Sequence, residues 1–179
     1  MSKSKLTEER LSGAVVYAGK FLEVHKDKVR LPDGSQTERE YLRHPGAVAV
    51  VALTGQGAVV LERQHRYPLR RDFIEIPAGK IDEGEPSQAC AQRELLEETG
   101  YAAAEWIRLG LIHNAIGYSD ESIELWLARG LEQRGAKLDA GEFLEVFTLP
   151  FDEALAMAQD GRISDVKTII GLYWTASRR

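Results

Sequence analysis

A dense group of acidic side chains lies in the middle of the chain, where six carboxylates fall between Asp82 and Glu98. Three of them, Glu94, Glu97 and Glu98, have the spacing i, i+3, i+4, which places them on one face of a helix. Carboxylates at this spacing repel each other, and the C-terminal end of a helix disfavours negative charge. The pattern therefore favours a divalent cation with hard oxygen ligands, Mg²⁺ or Mn²⁺, over an ordinary solvated acidic face.

The residues around this acidic face suit a supporting role. Arg93 lies one turn before Glu97, so it can orient that carboxylate or pair with the preceding loop. An ordinary surface ion pair is the alternative for Arg93. Gly79 and Gly84 let the loop Ala78–Glu85 turn tightly and bring backbone carbonyls close to a metal.

Nine residues stand at the spacing of the Nudix signature, and Tyr101 occupies a final position that is usually aliphatic. They are Gly79, Glu85, Arg93, Glu94, Leu95, Glu97, Glu98, Gly100 and Tyr101. The chain thus resembles Nudix hydrolases. The resemblance implies an α+β fold, a Nudix-type α/β/α sandwich with a mixed sheet, and hydrolysis of a nucleoside diphosphate linked to another group.

The resemblance also implies roles for these positions. Glu94, Glu97 and Glu98 would bind Mg²⁺, with Mn²⁺ as a possible substitute, and the Ala78 carbonyl would be a further ligand. Several metal ions would then neutralise the pyrophosphate and activate a water molecule for in-line attack, which makes Glu97 and Glu98 catalytic. The remaining motif positions would be structural partners of loop and helix: Gly79, Glu85, Arg93 and Gly100.

Segments outside the signature are similar to the ADP-ribose pyrophosphatase subfamily over nearly the whole chain after about residue 12. They are Arg43–Val48, Gln64–Pro68, Glu75–Gly79, Gly117–Glu121, Leu138–Phe143 and Asp165–Thr168. This similarity implies hydrolysis of ADP-ribose, or a similar ADP-sugar, to AMP and a sugar phosphate.

The subfamily resemblance extends to candidate substrate residues. Arg66 would contact phosphate, and Arg39 and Glu40 would lie near the adenine, supplied by the same or the partner subunit. Glu121 would approach the terminal ribose or the metal site. Glu142 would be a further metal ligand or would orient the attacking water. A solvated arginine and an exposed loop glutamate are the alternatives for Arg66 and Glu142.

Two departures from the subfamily pattern leave alternatives open. Ile116 stands where a proline usually marks ADP-ribose preference, and proline would stiffen that loop. A GDP-sugar or another nucleoside diphosphate conjugate is therefore an alternative substrate. Ala140 replaces an acidic residue that some members carry, so the catalytic base is Glu142 or no separate protein base is needed. A noncatalytic nucleotide-sensing module is a further alternative, which the intact acidic triad disfavours.

The elements that must position these residues begin with short strands. Residues 1–45 are expected to form a small antiparallel sheet that mediates dimerisation, and residues 46–179 a Nudix hydrolase domain. The predicted strands are Gly13–Tyr17, Phe21–His25, Lys28–Leu31, Thr37–Leu42, Ala47–Leu53, Ala58–Arg63, Phe73–Ile76, Trp106–Ile112, Ile123–Ala128 and Leu144–Leu149. The predicted helices run from Ser87, as a cap, to Gly100, as a stop, and over Phe151–Gln159 and Ser164–Ala176.

Bulk properties narrow the setting of this chemistry. The chain has 179 residues and a net charge of −5, which disfavours binding to nucleic acid because that requires clustered cations. The single cysteine, Cys90, is expected to be buried, and the longest apolar run is too short to span a membrane. We therefore expect a cytoplasmic homodimer acting on a small nucleotide sugar, without nucleic-acid or membrane partners.

Overall fold

The computed structural model describes residues 4–136, 138, 141 and 143–178, which separate into two units. The first unit comprises the described residues up to His44 together with Ala115–Glu121. The second comprises Pro45–Asn114 and the described residues from Ser122 onwards. The sequence did not indicate that Ala115–Glu121 would belong with the N-terminal strands.

The first unit is a three-stranded antiparallel sheet with the order β1-β2-β3. Its strands are β1 (Glu9–Ala18), β2 (Glu23–Arg30) and β3 (Gln36–Arg43). The prediction that Phe21–His25 and Lys28–Leu31 are separate strands was wrong, because β2 pairs with β3 without interruption from Glu23 to Arg30. The loop Ala115–Glu121 joins this sheet through a hydrogen bond from Leu42 N to Tyr118 O (2.8 Å).

The second unit contains two sheets and three helices. One sheet has the order β10-β5-β6, and the other is mixed, with the order β7-β4-β9-β8 and β4 parallel to β9. The elements are β4 (Ala47–Ala52), β5 (Ala58–Arg66), β6 (Arg71–Glu75), β7 (Ala78–Lys80), α1 (Ser87–Thr99), β8 (Tyr101–Ile112), β9 (Ile123–Gln133), β10 (Leu144–Pro150), α2 (Phe151–Gln159) and α3 (Val166–Ala176).

Strand β4 lies at the centre of the packing, as its run of Ala and Val predicts. Val48 and Val50 pack in one cluster with Leu95 of α1, whereas Ala49 and Val51 pack in another cluster with residues of α2 and α3. Successive side chains of a strand point to opposite faces, so this alternation places helices on both sides of the sheet. The resulting three layers hold the acidic helix against β4.

Helix α1 begins and ends as its sequence suggests, but its capping differs. Gly100 adopts φ 74° just after the helix, a conformation that favours glycine, and ends it. The predicted cap at Ser87 was wrong, since the N-cap is Pro86 and makes no side-chain capping bond. The Ser87 hydroxyl instead donates to Glu124 on β9. This contact ties the start of the helix to the sheet.

A short strand replaces the start of the predicted loop before α1. Ala78–Lys80 was expected to be irregular, yet it forms β7, which pairs antiparallel with β4. This pairing fixes the backbone next to the acidic end of α1. None of the helices in the described ranges has the length and apolarity that crossing a lipid bilayer requires.

Candidate active site

Arg93 gathers the carboxylates of α1 and of the preceding loop. Its Nε and Nη2 donate to the two oxygens of Glu85, each at 2.9 Å. Its Nη1 donates to Glu94 at 2.7 Å and to Glu97 at 3.1 Å, and its Nη2 also reaches the Lys80 carbonyl at 3.3 Å. We call Arg93 with Glu85, Glu94 and Glu97 the Arg93 clasp. It joins the loop, β7 and the last turns of the helix.

The charges of the Arg93 clasp shift each other's protonation. The hydrogen bonds from Arg93, opposed in part by desolvation, lower the pKa of Glu85 from 4.5 to about 2. The hydrogen bond to Glu85 and the charge of Glu94 raise the pKa of Arg93. Burial, together with Glu85, raises the pKa of the nearby Cys90 thiol to about 12. Cys90 is buried, as its sequence context predicted.

Gly79 on β7 makes room for the Glu94 carboxylate. A Cβ atom at this position would lie 1.9 Å from both Cδ and Oε1 of Glu94. Any side chain here would therefore push the carboxylate away. The glycine of the signature acts by close approach to a ligand candidate, in addition to any effect on loop geometry.

Glu98 is the most buried of the three helix carboxylates, at 5% exposure. The backbone N–H of Ala78 donates to its Oε2 at 3.0 Å. The role of the Ala78 carbonyl as a metal ligand stays a prediction, whereas the Ala78 N–H fixes the position of the Glu98 carboxylate. β7 thus contacts the acidic end of α1 through two consecutive residues, Ala78 and Gly79.

The donor set at this end of α1 suits a hard divalent cation. Glu94, Glu97 and Glu98 supply carboxylate oxygens within two turns, and Gly79 leaves the space that the Glu94 carboxylate needs. Among the described residues, no group of three or more His, Cys, Asp or Glu side chains is already gathered as a metal site. Arg93 holds one oxygen of Glu94 and one of Glu97.

Arg66, the predicted phosphate contact, belongs to a second charged group. Its Nε and Nη2 donate to the two oxygens of Glu75, each at 2.7 Å. Lys167 of α3 donates to the same carboxylate and lies 3.1 Å from Asp165. We call Glu75 with Arg66, Lys167 and Asp165 the Glu75 cluster. It borders a cavity of about 350 Å³ whose lining also includes Leu69.

Three other predicted substrate residues lie in the first unit. Arg39 on β3 donates to the carboxylate of Glu8, at 2.6 Å and 3.0 Å. Glu40 is 3.7 Å from the Lys26 ammonium. Glu121 lies 3.9 Å from His44. The prediction for Glu142 falls on a residue outside the described ranges.

Sequence reasoning missed the Glu75 cluster as a unit. Glu75 and Lys167 are 92 residues apart, so no local spacing connects them. A signal was present in Phe73–Ile76, where a single charged residue interrupts an apolar strand. A buried carboxylate in such a strand requires a cationic partner.

Two family models match the chain. The NUDIX domain matches residues 43–169, and the Nucleoside diphosphate sugar hydrolase N-terminal domain matches residues 8–42. The crystal structure of an ADP compounds hydrolase has a TM-score of 0.85 at 21% identity, and covers 98% of this chain and 96% of that one. At this identity the likeness concerns the fold alone, and it confirms the predicted fold class.

Several proteins of known activity are similar along most of the chain. The methanol dehydrogenase activator of Bacillus methanolicus is 40% identical, and the alignment covers 95% of this chain and 94% of that protein. The ADP-ribose pyrophosphatase of Bacillus subtilis is 35% identical, and the alignment covers 94% of this chain and 92% of that protein. The GDP-mannose pyrophosphatase of Pectobacterium atrosepticum is 34% identical, and the alignment covers 75% of this chain and 74% of that protein.

Proposed function

The chain belongs to the NUDIX family, and from that premise we propose that it hydrolyses the pyrophosphate bond of ADP-ribose, or of a similar ADP-sugar. The predicted family and the predicted pyrophosphohydrolase class are confirmed by the matches along the chain. The observation that carries the substrate proposal is the similarity to an ADP-ribose pyrophosphatase over 94% of the chain. The products are AMP and a sugar phosphate.

Nudix hydrolases generally use divalent metal ions, and we propose Mg²⁺ as the ion here. The support is the donor set, because Glu94, Glu97 and Glu98 offer only hard carboxylate oxygens. Bound ions supply positive charge at the pyrophosphate and lower the pKa of a water molecule. The Ala78 N–H would hold Glu98 in place, and Arg93 would orient Glu94 and Glu97 before the ion binds.

In the proposed reaction, the oxygen of water forms a new P–O bond while the bridging P–O bond breaks. Arg66 would bind a phosphate oxygen through the N–H groups that Glu75 does not occupy. Glu142 would accept the proton of the attacking water, unless no separate protein base is needed. Arg39 and Glu40 would contact the adenine, and Glu121 the terminal ribose.

A homodimer is proposed on the basis of the first unit. All residues of β1 except Leu11 are exposed, and three consecutive apolar side chains, Val15, Val16 and Tyr17, are each 47–58% exposed. A long edge strand with exposed apolar residues is a surface on which a second chain can pair. Light scattering at the mass of one chain would reject this proposal. A cytoplasmic location remains a prediction that cell fractionation tests.

Purified protein with Mg²⁺ and a panel of nucleotide sugars tests the substrate. We expect AMP from ADP-ribose at the highest kcat/KM of the panel, measured by chromatography of the products. A GDP-sugar is the second candidate, favoured by the similarity to a GDP-mannose pyrophosphatase and by Ile116. We expect Ile116→Pro to raise the preference for ADP-ribose. Absence of turnover for every nucleotide sugar of the panel would contradict both candidate substrates, ADP-ribose and a GDP-sugar.

A further inference from the structure

Glu75 lies at the end of β6 as a buried carboxylate that two cations share. Its side chain is 4% exposed, whereas that of its partner Arg66 is 42% exposed. Burial raises the pKa of Glu75, but the bonds from Arg66 and Lys167 outweigh this effect and leave the pKa below its usual value. The carboxylate is therefore ionised and fixed, while the guanidinium remains open to solvent on one side.

The contact between Arg66 and Glu75 fixes the orientation of the guanidinium. Both bonds are 2.7 Å long and use Nε and Nη2, which is the two-pronged geometry that arginine forms with a carboxylate. Arginine carries five N–H groups, so three have no protein acceptor among the described residues. These three point away from Glu75 along the plane of the guanidinium.

Glu75 is itself held by residues of α3. Lys167 donates to it from the first turn of the helix, and Asp165 caps that helix by accepting from Thr168 N at 3.0 Å. Thr168 Oγ1 accepts from the N–H of Ile76, the residue after Glu75, at 2.9 Å. The support under Arg66 thus reaches through a strand end into a packed helix.

We propose that Glu75 is a positioning residue for substrate binding, which holds Arg66 so that its open N–H edge receives a phosphate oxygen. The proposal rests on the proposed function, in which Arg66 contacts phosphate. A free arginine loses side-chain entropy when it binds a ligand, and a pre-oriented one loses less. Since Lys167 shares the charge of Glu75, the carboxylate orients Arg66 without fully neutralising it for the anionic substrate.

Binding measured by calorimetry tests this role separately from turnover. ADP-ribose with Mg²⁺ is titrated into protein that carries Glu98→Gln, which we expect to slow hydrolysis by more than about 100-fold, and further substitutions are compared in that background. We expect Glu75→Gln to weaken binding about tenfold, the loss of one charge-assisted hydrogen bond. Arg66→Ala should weaken it at least as much. The double variant should be no weaker than Arg66→Ala, because the two residues act as one unit.

A matched control is the exposed pair of Arg162 with Asp160, in which Nε donates to Oδ1 at 3.0 Å and Nη2 donates to Oδ2 at 2.7 Å. Asp160→Asn should leave the affinity unchanged. Arg66→Lys keeps the charge but loses the fork, and it should bind as weakly as Arg66→Ala. This variant tests the proposal even where Glu75→Gln fails to fold.

Kinetics of otherwise native protein give the second readout. Glu75→Gln should raise KM with kcat retained, the pattern of a lost binding interaction. A lower Tm for Glu75→Gln with an unchanged Kd would overturn the proposal and leave Glu75 a stabilising residue. Additive losses in the double variant would overturn it too. Failure of the proposed function is distinguishable, since unsubstituted protein would then release no AMP from ADP-ribose.

Discussion

The Arg93 clasp and the Glu75 cluster are built from the same kinds of side chain but differ in their balance of charge. In the clasp, one guanidinium is divided among Glu85, Glu94 and Glu97. In the cluster, one carboxylate is shared by Arg66 and Lys167. The first group has one cation for three carboxylates, whereas the second has two cations, Arg66 and Lys167, for the two carboxylates of Glu75 and Asp165.

This difference separates a group with uncompensated negative charge from one whose charges balance. An excess of carboxylates is electrostatically unfavourable without a further cation, which is why we propose the metal ion at the clasp. The cluster holds its charges in fixed pairs, which suits support and orientation. Substitutions that add or remove one charge should therefore affect the two groups differently.

The largest effect is expected from Glu98→Gln, which removes a proposed metal ligand but keeps the volume. The amide cannot supply a charged oxygen, so we expect kcat/KM for ADP-ribose to fall by more than about 100-fold with Mg²⁺. Glu132→Gln, which alters a surface carboxylate paired with Arg134, is the control and should remain active. Full activity of Glu98→Gln would show that the metal site does not lie on α1.

Gly79→Ala should damage the metal site while sparing the fold. The three atoms nearest to the new Cβ all belong to the end of the flexible Glu94 side chain, which can move aside. We expect about tenfold weaker Mg²⁺ activation with a nearly unchanged Tm. Gly55→Ala is the control, since a Cβ there meets nothing within 4 Å. Unchanged Mg²⁺ dependence in Gly79→Ala would show that Glu94 is not a ligand.

Arg93→Met tests whether a metal can replace the cation of the clasp. Arg93 is 31% exposed, so after allowance for solvent screening we expect unfolding to require about 1 kcal/mol less free energy. Mg²⁺ should restore part of this loss, because it binds the folded state. In Arg66→Met, urea unfolding should show a loss that Mg²⁺ does not restore. Equal responses of the two variants to Mg²⁺ would contradict the comparison.

The smallest effect is expected in the dependence of stability on acidic pH. The folded pKa of Glu85 is about 2, below its ordinary 4.5, so its contribution to stability is present above pH 4.5 and is lost as the pH falls towards 2. The difference in unfolding free energy between the unsubstituted protein and Glu85→Gln should therefore shrink between pH 5 and pH 2.5. A constant difference over this range would mean that the bond from Arg93 does not depend on the carboxylate charge.

Much of the clasp was predictable because its information is local. The spacing of Glu94, Glu97 and Glu98 predicted both the helix and the shared face, and Ala47–Leu53 predicted the strand beneath it. Arg93 was expected to orient Glu97 or pair with the loop, and it does both. Each of these relations spans fewer than three turns of helix, where geometry follows directly from sequence.

What could not be predicted depends on pairings between distant segments. β7 has only three residues and exists because β4 offers it a partner. The Ser87 hydroxyl had a good capping position, but Glu124 of β9 binds it instead. The Glu75 cluster needs α3 to return to β6. In each case the tertiary structure decided between local options that the sequence left equal.

The contacts of Arg93 also bear on what the proposed metal ion does for the fold. Because the Arg93 cation already links the loop to the helix, a metal ion is not needed to join these two segments. We therefore expect the proposed ion to exchange without the loop separating from the helix. Loss of that ion would then be reversible for the folded protein.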